Sequence, residues 1–267
     1  MKILDKRADL GHGDVKKLLF SLSVPTITSQ IVNMLYNLVD RVFIGHMQPA
    51  ETVGKLALTG VGVCLPIIMV ISAFASLIAI GGAPRASIAE GAGESEKSER
   101  IMGNCLTMLV ITALVLTVLF ESFAEPLLLM FGASENTIGY ALDYMRIYAL
   151  GTIFVQLTLG MNAYITAQGF ATVSMKTVLI GALLNTALDP LFIFVLGIGV
   201  RGAALATVIS QAVSAVWVMT FLTGKKTRWY LKRENLHVDA KIVLPCIALG
   251  PRWRGRQPLR RHPLCRS

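Results

Sequence analysis

Two short stretches of the sequence combine acidic and amide residues at spacings that could bind a cation. Asn33, Asn37 and Asp40 follow one another at i, i+4 and i+7 in "SQIVNMLYNLVDRVFIG", which places them on one face of a helix. Asn185 and Asp189 lie four positions apart in "LLNTALDP" and share a face in the same way. Carboxylate and amide oxygens accept hydrogen bonds and bind Na⁺, so the two patterns predict an ion or proton site.

The composition indicates that these residues lie inside a membrane. Of the 267 residues, 54% are hydrophobic and 15% are charged, whereas a soluble domain carries about 25% charged residues. Apolar segments long enough to cross a bilayer explain the difference, and the fold class predicted is an all-α polytopic membrane protein. The six predicted spans are 18–44, 56–82, 101–121, 138–163, 173–196 and 202–223.

The distribution of basic residues predicts the orientation. With a cytoplasmic N-terminus, most Lys and Arg residues fall in cytoplasmic loops, while the other side carries mainly Arg41, Lys55 and Arg201. This is the positive-inside pattern, so residues 1–17 and the basic loop 224–241 are expected in the cytoplasm. The net charge of +9 owes much to the last residues of the chain and does not indicate nucleic-acid binding.

The last part of the sequence changes character abruptly. Residues 242–250 begin a seventh apolar helix that is too short to span, and residues 251–267 are rich in Arg and Pro without any acid. Two interpretations are open for this tail. It is expected either to be an aberrant end caused by a frameshift or truncation, or to be a basic patch attracted to anionic lipid headgroups.

Helix geometry predicts that three spans bring polar groups to one depth. Asp189 lies about 24 Å from the inner edge of its span, and Thr207 lies about 8 Å from the outer edge of the next span. Asp40, near the end of the first span, lies in the same outer half. An ionised Asp inside a span costs at least about 2.5 kcal/mol, so these residues are expected to face a bundle interior or an aqueous cavity. The alternative is an Asp exposed to headgroups at a helix end.

Two prolines are predicted to shape the helices around this site. Pro190 has no N–H, so the carbonyl of Thr186 loses its helical partner and becomes available to coordinate a cation. Pro25 is predicted either to kink the first span or to be an ordinary proline of a helical first turn.

Other chemistry is not supported by the sequence. Gly197 to Gly202 read G-x-G-x-x-G, but the preceding apolar run is too long for a strand and no acid follows at the Rossmann spacing. This stretch is better interpreted as an outer hairpin that sets Thr207 at the depth of Asp189. Neither Asp40 nor Asp189 lies in a G-x-G-D motif, so an intramembrane aspartyl protease, and enzymatic activity in general, is not expected. The Cys and His spacings predict no cofactor and no metal beyond Na⁺.

The chain resembles the N-terminal half of the multidrug and toxic compound extrusion (MATE) family, in its bacterial multidrug export branch. The resemblance covers about residues 12–250. It rests on Pro25 with the "DRVFIGH" that begins at Asp40, on "GAPRASIAEGAGE", on "NTALDP" and on "GIGVRGAALATVISQ".

The resemblance implies a fold and a function. It implies one six-helix lobe of a two-lobed antiporter that exports cationic or amphipathic drugs in exchange for H⁺ or Na⁺ across the cell membrane. The second lobe is then the expected structural partner, and transport by this lobe alone is not expected. The alternatives are a flippase for lipid-linked substrates and a non-transporting membrane interaction protein.

The resemblance also assigns roles to residues. It implies that the cation-site residues are Asp40, Asn185, Asp189 and Thr207, and that Pro25 is the bending proline of the first helix. The remaining polar residues expected around the cavity are Asn33, Tyr36, Asn37 and Tyr144.

Overall fold

The computed structural model describes residues 15–224, 227–236, 239, 242–244 and 246. Within these residues the chain forms eight α-helices and no strand, which confirms the all-α prediction. The helices are α1 (Val15–Gly45), α2 (Lys55–Gly91), α3 (Ser95–Ser122), α4 (Ala124–Met130), α5 (Ile138–Leu150), α6 (Thr152–Ala167), α7 (Ala171–Pro190) and α8 (Val200–Thr223). Of the predicted N-terminal segment 1–17, residues 1–14 lie outside the described part and residues 15–17 begin α1; the tail 251–267 and most of 242–250 also lie outside it.

Most of the predicted spans correspond to helices that are long and apolar enough to cross a membrane. Within the described part of the chain four single helices meet this condition, namely α2, α3, α7 with its continuation to Val195, and α8. The predicted span 138–163 is broken into α5 and α6, which meet at Gly151 with a bend of 56° and satisfy the condition only together. The first predicted span is α1, whose 31 residues extend about 46 Å but whose Ser, Thr, Asn and Gln side chains lower its hydropathy.

Helix α2 is longer than the sequence suggested. The stretch Gly81 to Pro84 had the composition of a span end, yet the helix continues to Gly91. Gly82 in this stretch lies against neighbouring helices, since a side chain there would meet the Tyr164 hydroxyl and Cys105 Sγ. Close packing of small residues therefore explains this glycine, as is common between membrane helices.

The packing order brings the helices of the predicted site together. Helix α1 packs mainly against α7, and α7 packs against α8, while α2 lies among α3, α5 and α6. Small residues permit the close approach, because Gly160 lies against Leu109 and Gly181 lies against Ser214. The buried residues form two clusters at opposite ends of the bundle. One surrounds Ile67 at the end where α5 lies, and the other surrounds Tyr164 at the end where α3 begins.

The segment 227–236, within the predicted basic loop 224–241, is docked on one end of the bundle. Gln168 Oε1 accepts hydrogen bonds from the backbone N–H of Arg228 at 2.8 Å and of Trp229 at 3.2 Å. The Trp229 side chain is buried, and its indole N–H donates to Glu90 at 3.1 Å. The loop is therefore attached to the helices by buried polar side chains rather than by surface charges alone.

Candidate functional site

The centre of the site is a hydrogen-bonded group on α7 and α8. The side-chain amide of Asn185 donates to Asp189 Oδ1 at 3.1 Å and to Thr207 Oγ1 at 3.4 Å. Thr207 in turn donates to the Ala203 carbonyl oxygen at 3.1 Å. Asn185 and Asp189 are both buried. The one-turn spacing seen in the sequence thus places the amide beside the carboxylate.

Asp40 joins this group from α1. It is buried, and its carboxyl group lies within interaction distance of that of Asp189. The interpretation of Asp40 as an Asp exposed at a helix end is therefore wrong. Asp40, Asn185, Asp189 and Thr207 lie together as a single cluster, although their predicted role in cation binding stays a prediction.

Three buried oxygen atoms of this cluster have no hydrogen-bond partner. They are Asp40 Oδ1, Asp189 Oδ2 and Asn185 Oδ1. Unpaired buried polar atoms are costly, so such a group is expected to be satisfied by water, a proton or an ion. All three atoms are acceptors, so a water molecule, a proton or a cation would each satisfy them.

A cavity of about 180 Å³, the upper cavity, opens beside Asp40. The four predicted polar residues, Asn33, Tyr36, Asn37 and Tyr144, all line it. Sequence reasoning missed four further polar residues of its wall, which are Arg41, Ser72, Tyr148 and Gln211. A signal existed for two of them, because Tyr148 and Gln211 lie one helical turn after Tyr144 and Thr207.

The prolines lie at different positions in their helices. Pro25 is buried inside α1, ten residues after the helix begins at Val15, so the interpretation of a first-turn proline is wrong. Pro190 ends α7, and the chain continues as a π-helical segment from Leu191 to Val195. A change of helix type after Pro190 fits the predicted disturbance of the helical hydrogen bonds near Asp189.

The glycine-rich stretch is a turn between helices, as the sequence predicted. Gly197 and Gly199 have positive φ angles of 66° and 64° and reverse the chain between the π-helical segment and α8. A side chain at Gly202 would approach the Phe192 carbonyl carbon to 2.9 Å. This tight turn places α8 against the end of α7 and so brings Thr207 beside Asn185.

The described residues offer no site for a transition metal. No group of three or more His, Cys, Asp or Glu side chains capable of holding a metal ion occurs among them.

The family is shown by comparison with known proteins, in which the MatE family profile matches residues 25–191. The chain belongs to the MatE family of multidrug and toxic compound extrusion transporters. The matched region runs from Pro25 within α1 to just past the end of α7 and contains Asp40, Asn185 and Asp189.

Sequence relatives of this MatE chain are multidrug export proteins. It is 29% identical over 238 residues to multidrug export protein MepA of Staphylococcus haemolyticus, covering 89% of the chain and 50% of the relative. It is 25% identical to MepA of Staphylococcus aureus, covering 86% of the chain and 49% of the relative. The chain thus spans about half the length of the curated relatives it matches.

Solved MATE structures share the fold. A MATE in the bent conformation superposes with a TM-score of 0.81 at 27% identity, covering 89% of this chain and 52% of that one. An outward-facing multidrug resistance MATE transporter of the MOP superfamily gives a TM-score of 0.79 at 26% identity, covering 88% and 51%. The MatE chain therefore has the architecture of about half of such a transporter, in a family of multi-pass membrane transporters that use ion coupling.

Proposed function

We propose that this chain is one six-helix lobe of a cation-coupled antiporter that exports cationic or amphipathic drugs in exchange for H⁺ or Na⁺. The observation that carries the proposal is the meeting of Asp40 and Asp189, with Asn185 and Thr207, beside a polar cavity. Two buried carboxyl groups close to each other favour a proton or a cation between them, because two charges of one sign repel strongly away from water.

The second six-helix unit is the structural partner in this proposal. The relatives that this chain matches are about twice its length, and transporters of this kind move one lobe against the other around a central site. The exposed face of α1, which includes Asn33, Asn37 and Met34, then faces the partner lobe across the drug cavity. Drug export is proposed for the pair of lobes and cation binding for this lobe.

The orientation proposed is a cytoplasmic N-terminus in the cell membrane. Lys97 and Arg100 begin α3 at the same end of the bundle as Lys232, which pairs with Glu99 at 2.7 Å. At the opposite end Arg201 pairs with Asp143 at 2.8 Å. The excess of basic residues at the α2–α3 end supports its placement on the cytoplasmic side.

A flippase for lipid-linked substrates is supported less well. Such substrates carry phosphate groups, which favour several basic residues in the cavity wall. In the described lining of the upper cavity Arg41 is the basic residue, beside Asp40. A non-transporting interaction role has no specific observation in its favour.

Cation binding is tested on the chain itself. Purified protein in detergent is titrated with Na⁺ by calorimetry, and proton uptake is measured in parallel, for the wild type and for Asp189→Asn. We expect binding of one of the two ions to the wild type and its loss in the variant. Asp143→Asn is the matched control, since Asp143 is an exposed carboxylate paired with Arg201. Equal binding by all three proteins contradicts the proposal.

Drug export is tested with both lobes present. The chain is co-expressed with the second half of a full-length relative in bacteria that lack efflux pumps, and ethidium efflux is followed. We expect efflux with the wild type and with Asp143→Asn, and none with Asp189→Asn. Efflux that persists in Asp189→Asn removes this carboxylate from the mechanism.

A further inference from the structure

Polar residues continue along α7 and α8 well beyond the carboxylate cluster. On α7, Ser174, Thr177 and Asn185 precede Asp189 on nearly the same helical face. On α8, Ser210 and Ser214 follow Thr207 at successive helical turns. Since α8 runs antiparallel to α7, these serines lie beside the earlier residues of α7. The two stripes meet, since Ser214 Oγ donates to the Thr177 carbonyl oxygen at 3.4 Å. Together they cover about 22 Å of helix length, between Asp189 and Ser174.

Two further cavities lie along these stripes. The middle cavity, of about 50 Å³, is lined by polar residues of both helices, which are Thr177, Asn185, Thr207, Ser210, Gln211 and Ser214. The lower cavity, of about 240 Å³, lies at the Ser174 end, between α1, α6 and α7. Asn33 lines the upper, middle and lower cavities, and Val178 lines the middle and lower ones. The three cavities therefore follow one another from Asp40 to Ser174.

The hydroxyl groups around the middle cavity expose oxygen lone pairs. Ser210 donates its proton to the Ala206 carbonyl at 2.7 Å, and Thr177 donates to the Val173 carbonyl at 3.2 Å. Ser214 also donates to a carbonyl, as described above. Because each proton is used by the helix backbone, the remaining lone pairs are left to accept from water or to coordinate a cation.

The unpartnered buried atoms along the cavities are oxygens too. Asn185 Oδ1 and Gln211 Oε1 border the middle cavity, and Asn162 Oδ1 borders the lower cavity. The side-chain amide of Asn162 is already used, because it donates to the Ser174 carbonyl at 3.3 Å. Unpartnered buried acceptors along the cavities favour water and hydrated cations, and about 50 Å³ is enough space for an ion or a few waters.

We propose that the upper, middle and lower cavities form an aqueous path that conducts a monovalent cation between the Asp40–Asp189 pair and the Ser174 end of the bundle. The hydroxyls of Thr177, Ser210 and Ser214 form an intermediate binding site on this path. Its use in coupled transport rests on the proposed function, but its existence as a cation-accessible path does not.

The test uses Ag⁺, a monovalent cation that binds thiolates tightly. Ser210→Cys and Ser214→Cys are made in a chain whose four native cysteines are replaced by serine or alanine. Val216→Cys is the control on the same helix, because Val216 is 63% exposed and faces away from the helix bundle. Sealed membrane vesicles are exposed to Ag⁺ in chloride-free buffer, and the thiols still free are counted after unfolding with a maleimide label.

The path is assigned to one face of the membrane by a second control. Ser95→Cys at the exposed start of α3 identifies the vesicle face on which the α2–α3 end of the bundle lies. From that face we expect Ser210→Cys and Ser214→Cys to bind Ag⁺ at least about ten times faster than Val216→Cys, because hydrocarbon excludes cations.

Three outcomes would overturn the proposal. The first is that Ser210→Cys and Ser214→Cys react no faster than Val216→Cys. The second is that they react only from the opposite face, which would mean that the cavities open to water only at the Asp40 end. The third is that two variants at the lower cavity, Asn162→Cys and Ser174→Cys, remain unreactive while Ser210→Cys reacts. None of these results depends on drug efflux or on Na⁺ binding at Asp189, so failure of the path and failure of the proposed function are separable.

Discussion

The Asn185 side-chain amide donates a hydrogen bond to Asp189 Oδ1 over 3.1 Å, one helical turn further along α7. The same amide reaches Thr207 on α8, so a single side chain orients the carboxylate and joins the two helices. The Asn185 oxygen is left without a partner and borders the middle cavity. Asn185 thereby links the carboxylate cluster to the cavities beneath it.

The first prediction concerns this amide. Asn185→Ala leaves Asp189 Oδ1 without its donor, and loss of a hydrogen bond to a buried carboxylate costs about 1–3 kcal/mol. We expect the midpoint of thermal unfolding in detergent to fall. Leu183→Ala is the control on the same helix, since Leu183 is 70% exposed, and an equal fall in both variants would contradict the assigned role of Asn185.

The second prediction concerns the contact between Asp40 and Asp189. Replacing either by Asn removes a like-charge contact and keeps the side-chain shape, so each variant should be more stable than the wild type by about 1 kcal/mol or more in Na⁺-free alkaline buffer, where both carboxyl groups are ionised and no proton is shared. The double variant should gain less than the sum, because one replacement already removes the repulsion.

This second prediction is checked by thermal unfolding with and without Na⁺. Asp143→Asn, at the exposed pair with Arg201, should shift stability by less than about 0.5 kcal/mol. A marked loss of stability in Asp189→Asn in Na⁺-free alkaline buffer would show that the two carboxyl groups do not repel in the folded protein.

The third prediction concerns the packing of α2. In Gly82→Ala the added methyl group meets the Tyr164 hydroxyl and lies 2.6 Å from Cys105 Sγ, so the neighbours must shift. Such overpacking costs about 1–3 kcal/mol. In Gly62→Ala no atom lies within 4 Å of the new methyl group, and this variant should retain the stability of the wild type. The comparison is read from thermal unfolding and from the yield of monodisperse protein.

The fourth prediction concerns the docked segment 227–236. Glu99 accepts from the Tyr230 backbone N–H at 3.1 Å and pairs with Lys232 at 2.7 Å. Glu99→Gln should release the segment and speed tryptic cleavage at Lys232, measured by mass spectrometry. Glu96→Gln is the control, because Glu96 is exposed and pairs only with Arg100 among the ion pairs described. Equal cleavage rates in the two variants would contradict the docking role of Glu99.

The pH dependence of this docking has a defined sign. The hydrogen bond to Glu99 and its charge raise the pKa of Lys232 above the ordinary lysine value. The contribution of the Lys232 contact is therefore complete below that ordinary value and is lost as the pH rises through the raised pKa. Tryptic protection should be constant from pH 7 to 9, and protection that declines within this range would assign the docking to another group.

Local patterns in the sequence were enough to predict most of the helices and several of the polar residues that line the upper cavity on α1 and α5. Hydropathy predicted most of the spans, because a segment inside hydrocarbon must be apolar and must satisfy its backbone hydrogen bonds within its own helix. Helical spacing placed Asn185 beside Asp189, and depth placed Asp40 and Thr207 at the same level. The family resemblance followed from residues that stand close together in the chain.

The tertiary structure decided what lies beside what. Helix α1 packs on α7, and this contact brings Asp40 close to Asp189. It depends on side-chain packing between segments that are far apart in sequence. The break at Gly151, the extension of α2 to Gly91 and the docking of 227–236 depend in the same way on partners that no local pattern names. The sequence by itself therefore determined which residues are polar and which of them share a helical face, and only the packed bundle decided that they form one cluster beside a row of cavities.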